Sequence, residues 1–120
     1  MYYTYILRCS DNSLYTGITN NLKRRMEEHF SGTKKCAKYT LRHIPTKIEM
    51  VWSSPNRITA SKLEYRIKRL KKEEKEMLIQ NKSNFLLFFK DILDCEVYKK
   101  EEINAIIQIN EVVSDERILY

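Results

Sequence analysis

Five side chains in this sequence have types and spacings that suit work on a phosphate. Tyr5, in Tyr3-Thr4-Tyr5, and Tyr15, in Tyr15-Thr16-Gly17, are phenols ten residues apart. Arg25 and His29 stand at i and i+4, on one face of a helix. Arginine grips phosphate in bidentate fashion, and an imidazole shuttles a proton or donates a hydrogen bond. Both flank a Leu22/Met26/Phe30 stripe, at the border of core and solvent, where a scaffold holds a group rigidly within reach of a ligand. Glu64 stands among Lys62, Arg66, Lys68 and Arg69. A lone carboxylate there suits a single divalent ion, because Mg²⁺ commonly takes one or two carboxylates and keeps most of its waters. Residues 1–60 hold no carboxylate cluster for a two-metal site. Each residue also has a plainer use: tyrosines pack in strands, an arginine snorkels, a histidine packs at a helix edge and a glutamate ion-pairs.

Those side chains need elements to hold them. Tyr2–Cys9 and Leu14–Thr19 are rich in aromatic and β-branched residues and flank the turn-like Ser10-Asp11-Asn12-Ser13, a β-hairpin pattern. Tyr5 and Tyr15 share a face only if the loop spans five residues, pairing Cys9 with Tyr15; a four-residue loop turns them apart, and the sequence leaves the register open. Gly17 within the second strand marks a bulge or a close approach. Asn20-Asn21 offers an N-cap to a helix over Leu22–Phe30, and Ser31–Ile44 reads as a loop. Ile48, Met50 and Trp52 alternate with Lys47, Glu49 and Val51, as in a third strand, which Ser53-Ser54-Pro55-Asn56 breaks. From Thr59, Leu63, Ile67 and Leu70 form a helical stripe that Met77-Leu78 extends towards Gln80; one helix or two fit equally. Phe85–Phe89 fits a strand or a buried helix, and Ile103, Ile106 and Ile107 an amphipathic helix.

With 120 residues, 42% of them apolar and 32% charged, the composition matches one folded domain rather than a disordered tail. No apolar run approaches the ~20 residues of a membrane span, and the start lacks a signal peptide's basic region and cleavage site, so a cytoplasmic protein without a membrane partner is expected. Cys9, Cys36 and Cys95 are odd in number and widely spaced, which favours reduced thiols. With His29 and His43 as the only imidazoles and no CxxC pair, structural zinc is not expected. The net charge of +6 is uneven: residues 1–80 carry 17 Lys/Arg against 8 Asp/Glu, and residues 81–120 carry 5 against 8. Such a basic portion attracts polyanions, nucleic acid first among them, with Arg24, Lys34, Lys35, Lys38 and Arg42 as candidate contacts.

Taken in order, Y-T-Y (3–5), Y-T-G (15–17), R-x-x-x-H (25–29) and E (64) resemble the GIY-YIG nuclease superfamily. Y-T-Y-I-L-R-C-x-D-x-S-L-Y-T-G-I-T-x-x-L-x-R-R, with A-K-Y-T and L-E-Y-x-I-K-x-L further on, is similar to its small single-domain bacterial branch. The resemblance covers about residues 1–80. Tyr3 and Thr4 depart from the first motif and Thr16 from the second, while the functional tyrosines stay in place. The resemblance implies an α+β fold, a three-stranded antiparallel sheet flanked by helices in the order ββαβαα. It implies a nuclease domain over 1–80; beyond it, the acidic balance and apolar Phe85–Phe89 of residues 81–120 are expected to form an extension packed on the domain or at a homo-oligomer interface. It further implies a metal-dependent endonuclease hydrolysing phosphodiester bonds, in DNA more than RNA, with one Mg²⁺ or Mn²⁺. Tyr5 would activate the attacking water, Tyr15 would arrange the nucleophile, Arg25 would contact the scissile phosphate, His29 would assist proton handling and Glu64 would ligate the metal. At neutral pH a phenol of pKa ~10 is one part in about a thousand ionised, a gap of ~4 kcal/mol that a metal or Arg25 would narrow. The alternative is a nucleic-acid-binding module that keeps the fold and cuts little.

Overall fold

In a computed structural model, which describes residues 1–31 and 42–103, β1 (Tyr2–Cys9) lies between β2 (Leu14–Thr19) and β3 (Pro45–Ser54), antiparallel to both. Thr4–Leu7 of β1 are buried, since a central strand covered on both faces accepts an almost unbroken run of bulky residues.

The hairpin loop differs from both registers that the sequence suggests. The Cys9 N–H donates to the Ser13 carbonyl and the Asn12 N–H to the Cys9 carbonyl, each at 2.9 Å, leaving Ser10–Asn12 as the loop. Asn12 adopts φ 68°, the left-handed conformation that ends such short loops and that asparagine tolerates. Tyr5 therefore opposes Gly17, and Leu7 opposes Tyr15. A two-residue change of loop length preserves the facing, so the tyrosines share a side, as a five-residue loop would also have arranged.

The third strand is where expected, but it changes face midway. Ile6 opposes Met50 while Leu7 opposes Ile48, which makes Glu49 the extra residue of a bulge. Ile48 consequently joins Tyr5, Leu7 and Val51 on one side, while Met50 and Trp52 join Ile6 on the other. The first side is covered by α1 (Leu22–Ser31) through Leu22, Met26 and Phe30. Its N-terminus is capped by Asn21, whose side-chain oxygen accepts from the Arg24 N–H at 3.1 Å.

Among the described residues three helices serve the second side. They are α2 (Arg57–Lys68), α3 (Lys72–Gln80) and α4 (Asn84–Phe89), and they supply Leu63, Ile67, Leu78 and Phe89. Asn56 and Thr59 form a reciprocal capping box that starts α2. The helical stretch ending at Gln80 is thus two helices. The Arg69 and Leu70 N–H groups bond three residues back, and the Glu74 carboxylate accepts from the Lys71 N–H at 2.8 Å to begin the next. Phe85–Phe89 falls in a helix, with Phe85 5.6 Å from the Trp52 ring and 5.1 Å from Phe89. Ile103 packs on the first cluster; Ile106, Ile107 and residues 32–41 of the expected loop lie outside the described residues.

Among the described residues the sheet has four strands, one more than expected, in the order β2-β1-β3-β4. The addition, β4 (Lys99–Lys100), pairs with Trp52 and Ser53 on the outer edge of β3. Two lysines followed by two glutamates carry no apolar alternation, so nothing in the sequence marks them as a strand; charge on an edge also discourages further pairing. Among the described residues no helix is long and apolar enough to cross a membrane.

Candidate active site

Gly17 creates the space in which the site is assembled. A Cβ built at that position would lie 2.5 Å from the Tyr5 hydroxyl oxygen and 2.7 Å from Tyr5 Cζ. The Tyr5 ring therefore crosses the bare backbone of β2, a close approach that only glycine permits. Tyr5 and Tyr15 then stand with ring centroids 6.2 Å apart, and His29 joins them at 5.6 Å from Tyr5 and 5.3 Å from Tyr15. The hairpin supplies the phenols and the last turn of α1 the imidazole.

The Tyr5 oxygen and His29 Nε2 are 2.8 Å apart, within a hydrogen bond. Arg25 also hydrogen-bonds Tyr5, and a guanidinium has only protons to give. The Tyr5 oxygen can accept from Arg25, and in the Nδ1–H tautomer of neutral His29 its own proton goes to Nε2. Burial raises the Tyr5 pKa well above the ordinary phenol range; Tyr15 adds to the rise and the Arg25 hydrogen bond opposes it. His29, almost wholly buried, is pushed down to about 4, first by burial and then by the Arg25 charge, with Glu28 acting in the opposite sense. At neutral pH both groups are uncharged.

Glu28 is a participant that the sequence reading omits. Its carboxylate accepts from Arg25 Nη1 at 2.8 Å, fixing the guanidinium from the same helix. The i, i+3 spacing from Arg25 was the available signal. Glu64 enters from α2, which lies against β2 and β1, and its charge reaches Tyr5 as a further contribution to the raised pKa. The Glu64 side chain is 24% exposed and ion-pairs with Lys68 at 3.3 Å.

Tyr5, Tyr15, Arg25 and His29 therefore share one cluster, with Glu64 in electrostatic reach. Of the candidate nucleic-acid contacts, Arg24 and Arg42 are exposed, and Lys34, Lys35 and Lys38 lie outside the described residues. Among the described residues no group of three or more His, Cys, Asp or Glu could enclose a metal. The hard carboxylate donor of Glu64 nonetheless fits a Mg²⁺-like ion that keeps most of its waters.

The hairpin and α1 gather two phenols, an arginine and a histidine into one cluster. The chain matches the GIY-YIG catalytic domain model over residues 1–77 and belongs to that family. Its relatives include UPF0213 protein FN1575 of Fusobacterium nucleatum, 39% identical over 98 residues, which are 82% of this chain and 96% of that protein. UPF0213 protein OB0043 of Oceanobacillus iheyensis is 48% identical over 79 residues, 66% of this chain and 90% of its own. The solution NMR structure of UPF0213 protein BH0048 from Bacillus halodurans shares 41% identity and covers 67% of this chain and 84% of that one, with a TM-score of 0.44.

Proposed function

We propose that this chain is a metal-dependent endonuclease that hydrolyses phosphodiester bonds in nucleic acid, DNA in preference to RNA. The observation that carries the proposal is the Tyr5 hydroxyl oxygen 2.8 Å from His29 Nε2, with the Arg25 guanidinium as its second partner.

Free ionisation of Tyr5 is disfavoured, because burial outweighs the help of Arg25. A relay avoids the phenolate. As water attacks phosphorus, its proton passes to the Tyr5 oxygen while the Tyr5 proton moves to His29 Nε2, so neither partner is charged before the attack. The low pKa of His29 in the resting site keeps Nε2 free of an added proton at neutral pH. Negative charge then builds on the phosphate, and the Arg25 guanidinium offsets it; the P–O bond to the leaving oxygen breaks, that oxygen takes a proton from water, and His29 releases its added proton to solvent. Tyr15, packed against both rings, orients the nucleophile. Glu64 is the residue that would hold Mg²⁺ or Mn²⁺, which when bound supplies Lewis-acid polarisation of the scissile phosphate. Residues 1–80 form the catalytic unit in this reading, residues 81–120 are an extension whose Phe85, Phe89 and Tyr98 pack on the far side of the sheet, and the cytoplasm is the place of action.

The test is incubation of the purified chain with Mg²⁺ or Mn²⁺ and linear, single-stranded and branched DNA and RNA. Divalent-dependent cleavage is expected, with Glu64→Ala and Arg25→Ala each slower by about 10²-fold or more. Unchanged cleavage in those variants would overturn the site assignment. Salt-sensitive binding by the parent chain with no cleavage would instead favour a binding module.

A further inference from the structure

Helix α2 carries a second surface that the relay does not use. Tyr65, the residue after Glu64, turns outward and is 54% exposed. The guanidinium carbons of Arg66 and Arg69 stand 5.5 and 5.4 Å from the centre of its ring. Beside it runs an open groove of about 620 Å³, lined by Arg57, Ile58, Lys62, Tyr65, Arg66 and Ile92 among others, with no carboxylate in its wall among the described residues. Ile58 and Ile92 are both exposed. Among the described residues, none of Arg57, Lys62, Arg66 and Arg69 forms an ion pair; the carboxylate of α2, Glu64, is matched to Lys68.

Two guanidinium groups converging on one aromatic ring repel each other, and a polyanion relieves that repulsion. The groove, however, offers more than charge. Its floor is aromatic and aliphatic carbon, so the occupant that fits must present flat apolar faces and phosphates together. An unpaired nucleic-acid strand does so, since every base has a π-face and every linkage a negative charge. A duplex keeps its bases stacked inside and would meet the cations while leaving Ile58, Tyr65 and Ile92 without partners. An acidic peptide would satisfy the cations alone.

We propose that this face of α2 is a docking platform for unpaired nucleotides, with a base stacked on Tyr65 and the neighbouring phosphates held by Arg57, Lys62, Arg66 and Arg69. Tyr65 follows Glu64, so the platform and the candidate metal ligand are carried by the same helix. The platform thereby favours nucleic acids that carry unpaired nucleotides. The inference rests on the nucleic-acid substrate proposed above, but not on its catalytic step.

The experiment measures binding of the full chain to a short labelled single-stranded oligonucleotide and to a blunt duplex of equal length, in EDTA so that nothing is cut. Tyr65→Ala is expected to weaken single-strand binding about tenfold, within the range for loss of one stacked base, and to leave duplex binding within about twofold. Tyr65→Phe, which retains the ring, is expected to bind as the parent does. Since Tyr65 is exposed, an unchanged thermal midpoint checks that Tyr65→Ala remains folded. Equal losses for both nucleic acids, no loss for either, or equally tight binding of poly-glutamate would overturn the platform. Cleavage assayed in parallel separates the two proposals. Cutting with no effect of Tyr65→Ala on binding defeats the platform alone; a Tyr65-dependent single-strand preference without cutting defeats the nuclease reading alone.

Discussion

The Tyr5 hydroxyl carries one proton, and burial keeps that proton on the phenol. Tyr5 keeps it and His29 stays ready to take it, so replacing the hydroxyl should disable the relay while preserving the ring's packing. Tyr5→Phe is expected to lower kcat/KM by about 10²–10⁴, read from initial cleavage rates, with a far smaller change in oligonucleotide affinity. The imidazole also links folding to pH. Folded, His29 is pushed down to about 4; unfolded, its pKa returns to ~6.5, so between these values the unfolded chain binds the additional proton. The stability tied to neutral His29 is therefore complete above pH ~6.5 and is lost as pH falls towards about 4, by up to ~3 kcal/mol. Denaturant midpoints measured over that window should fall more steeply for the parent than for His29→Gln. For the same reason the pH profile of kcat/KM should show no acid limb near pH ~6.5, the position an exposed histidine would give.

The hairpin turns these side chains into a site, and Gly17 is the point where element and chemistry meet. Gly17→Ala would place a methyl group 2.5 Å from the Tyr5 hydroxyl oxygen, and the buried ring, fastened to His29, has little room to withdraw. The expected result is a loss of ~1–3 kcal/mol in stability and a fall in cleavage of about 10²-fold or more; differential scanning and cleavage assays report the two separately. How far this was legible differs by element. The grouping of positions 5, 15, 25 and 29 is readable because their order and spacing are specific. The register is not, because Ser10-Asp11-Asn12-Ser13 suits loops of several lengths and only Asn12 in the left-handed region settles which forms. The bulge is equally hidden. Glu49 looks like an ordinary outward-facing residue in an alternating strand, yet its carboxylate turns to Arg8 at 2.9 Å while Ile48 and Met50 go to opposite faces.

For the molecule as a whole, the segment after Gln80 must be weighed as cover for the sheet or as a surface for another copy. Phe89 is 1% exposed within the cluster of Ile6, Met50 and Trp52, and the Tyr98 hydroxyl donates to the Thr59 carbonyl at 2.5 Å, which fastens the segment to α2. Leu86 and Leu87, on the same short helix, are 55% and 63% exposed. These neighbours provide an internal comparison. If cover is the segment's main contribution, Phe89→Ala should cost ~3–5 kcal/mol by opening a cavity in the second cluster, whereas Leu87→Ser should change stability by less than ~1 kcal/mol. A chain ended at Gln80 should then expose Trp52 and Leu78 and self-associate in sizing experiments. If the segment instead serves mainly to join two copies, Leu87→Ser should shift the parent's elution volume, and the shortened chain should remain soluble and monomeric. Since Tyr5 and His29 lie across the sheet from Phe89, cleavage by Phe89→Ala well below its melting midpoint should stay within about twofold of the parent, because additivity holds between sites without shared partners.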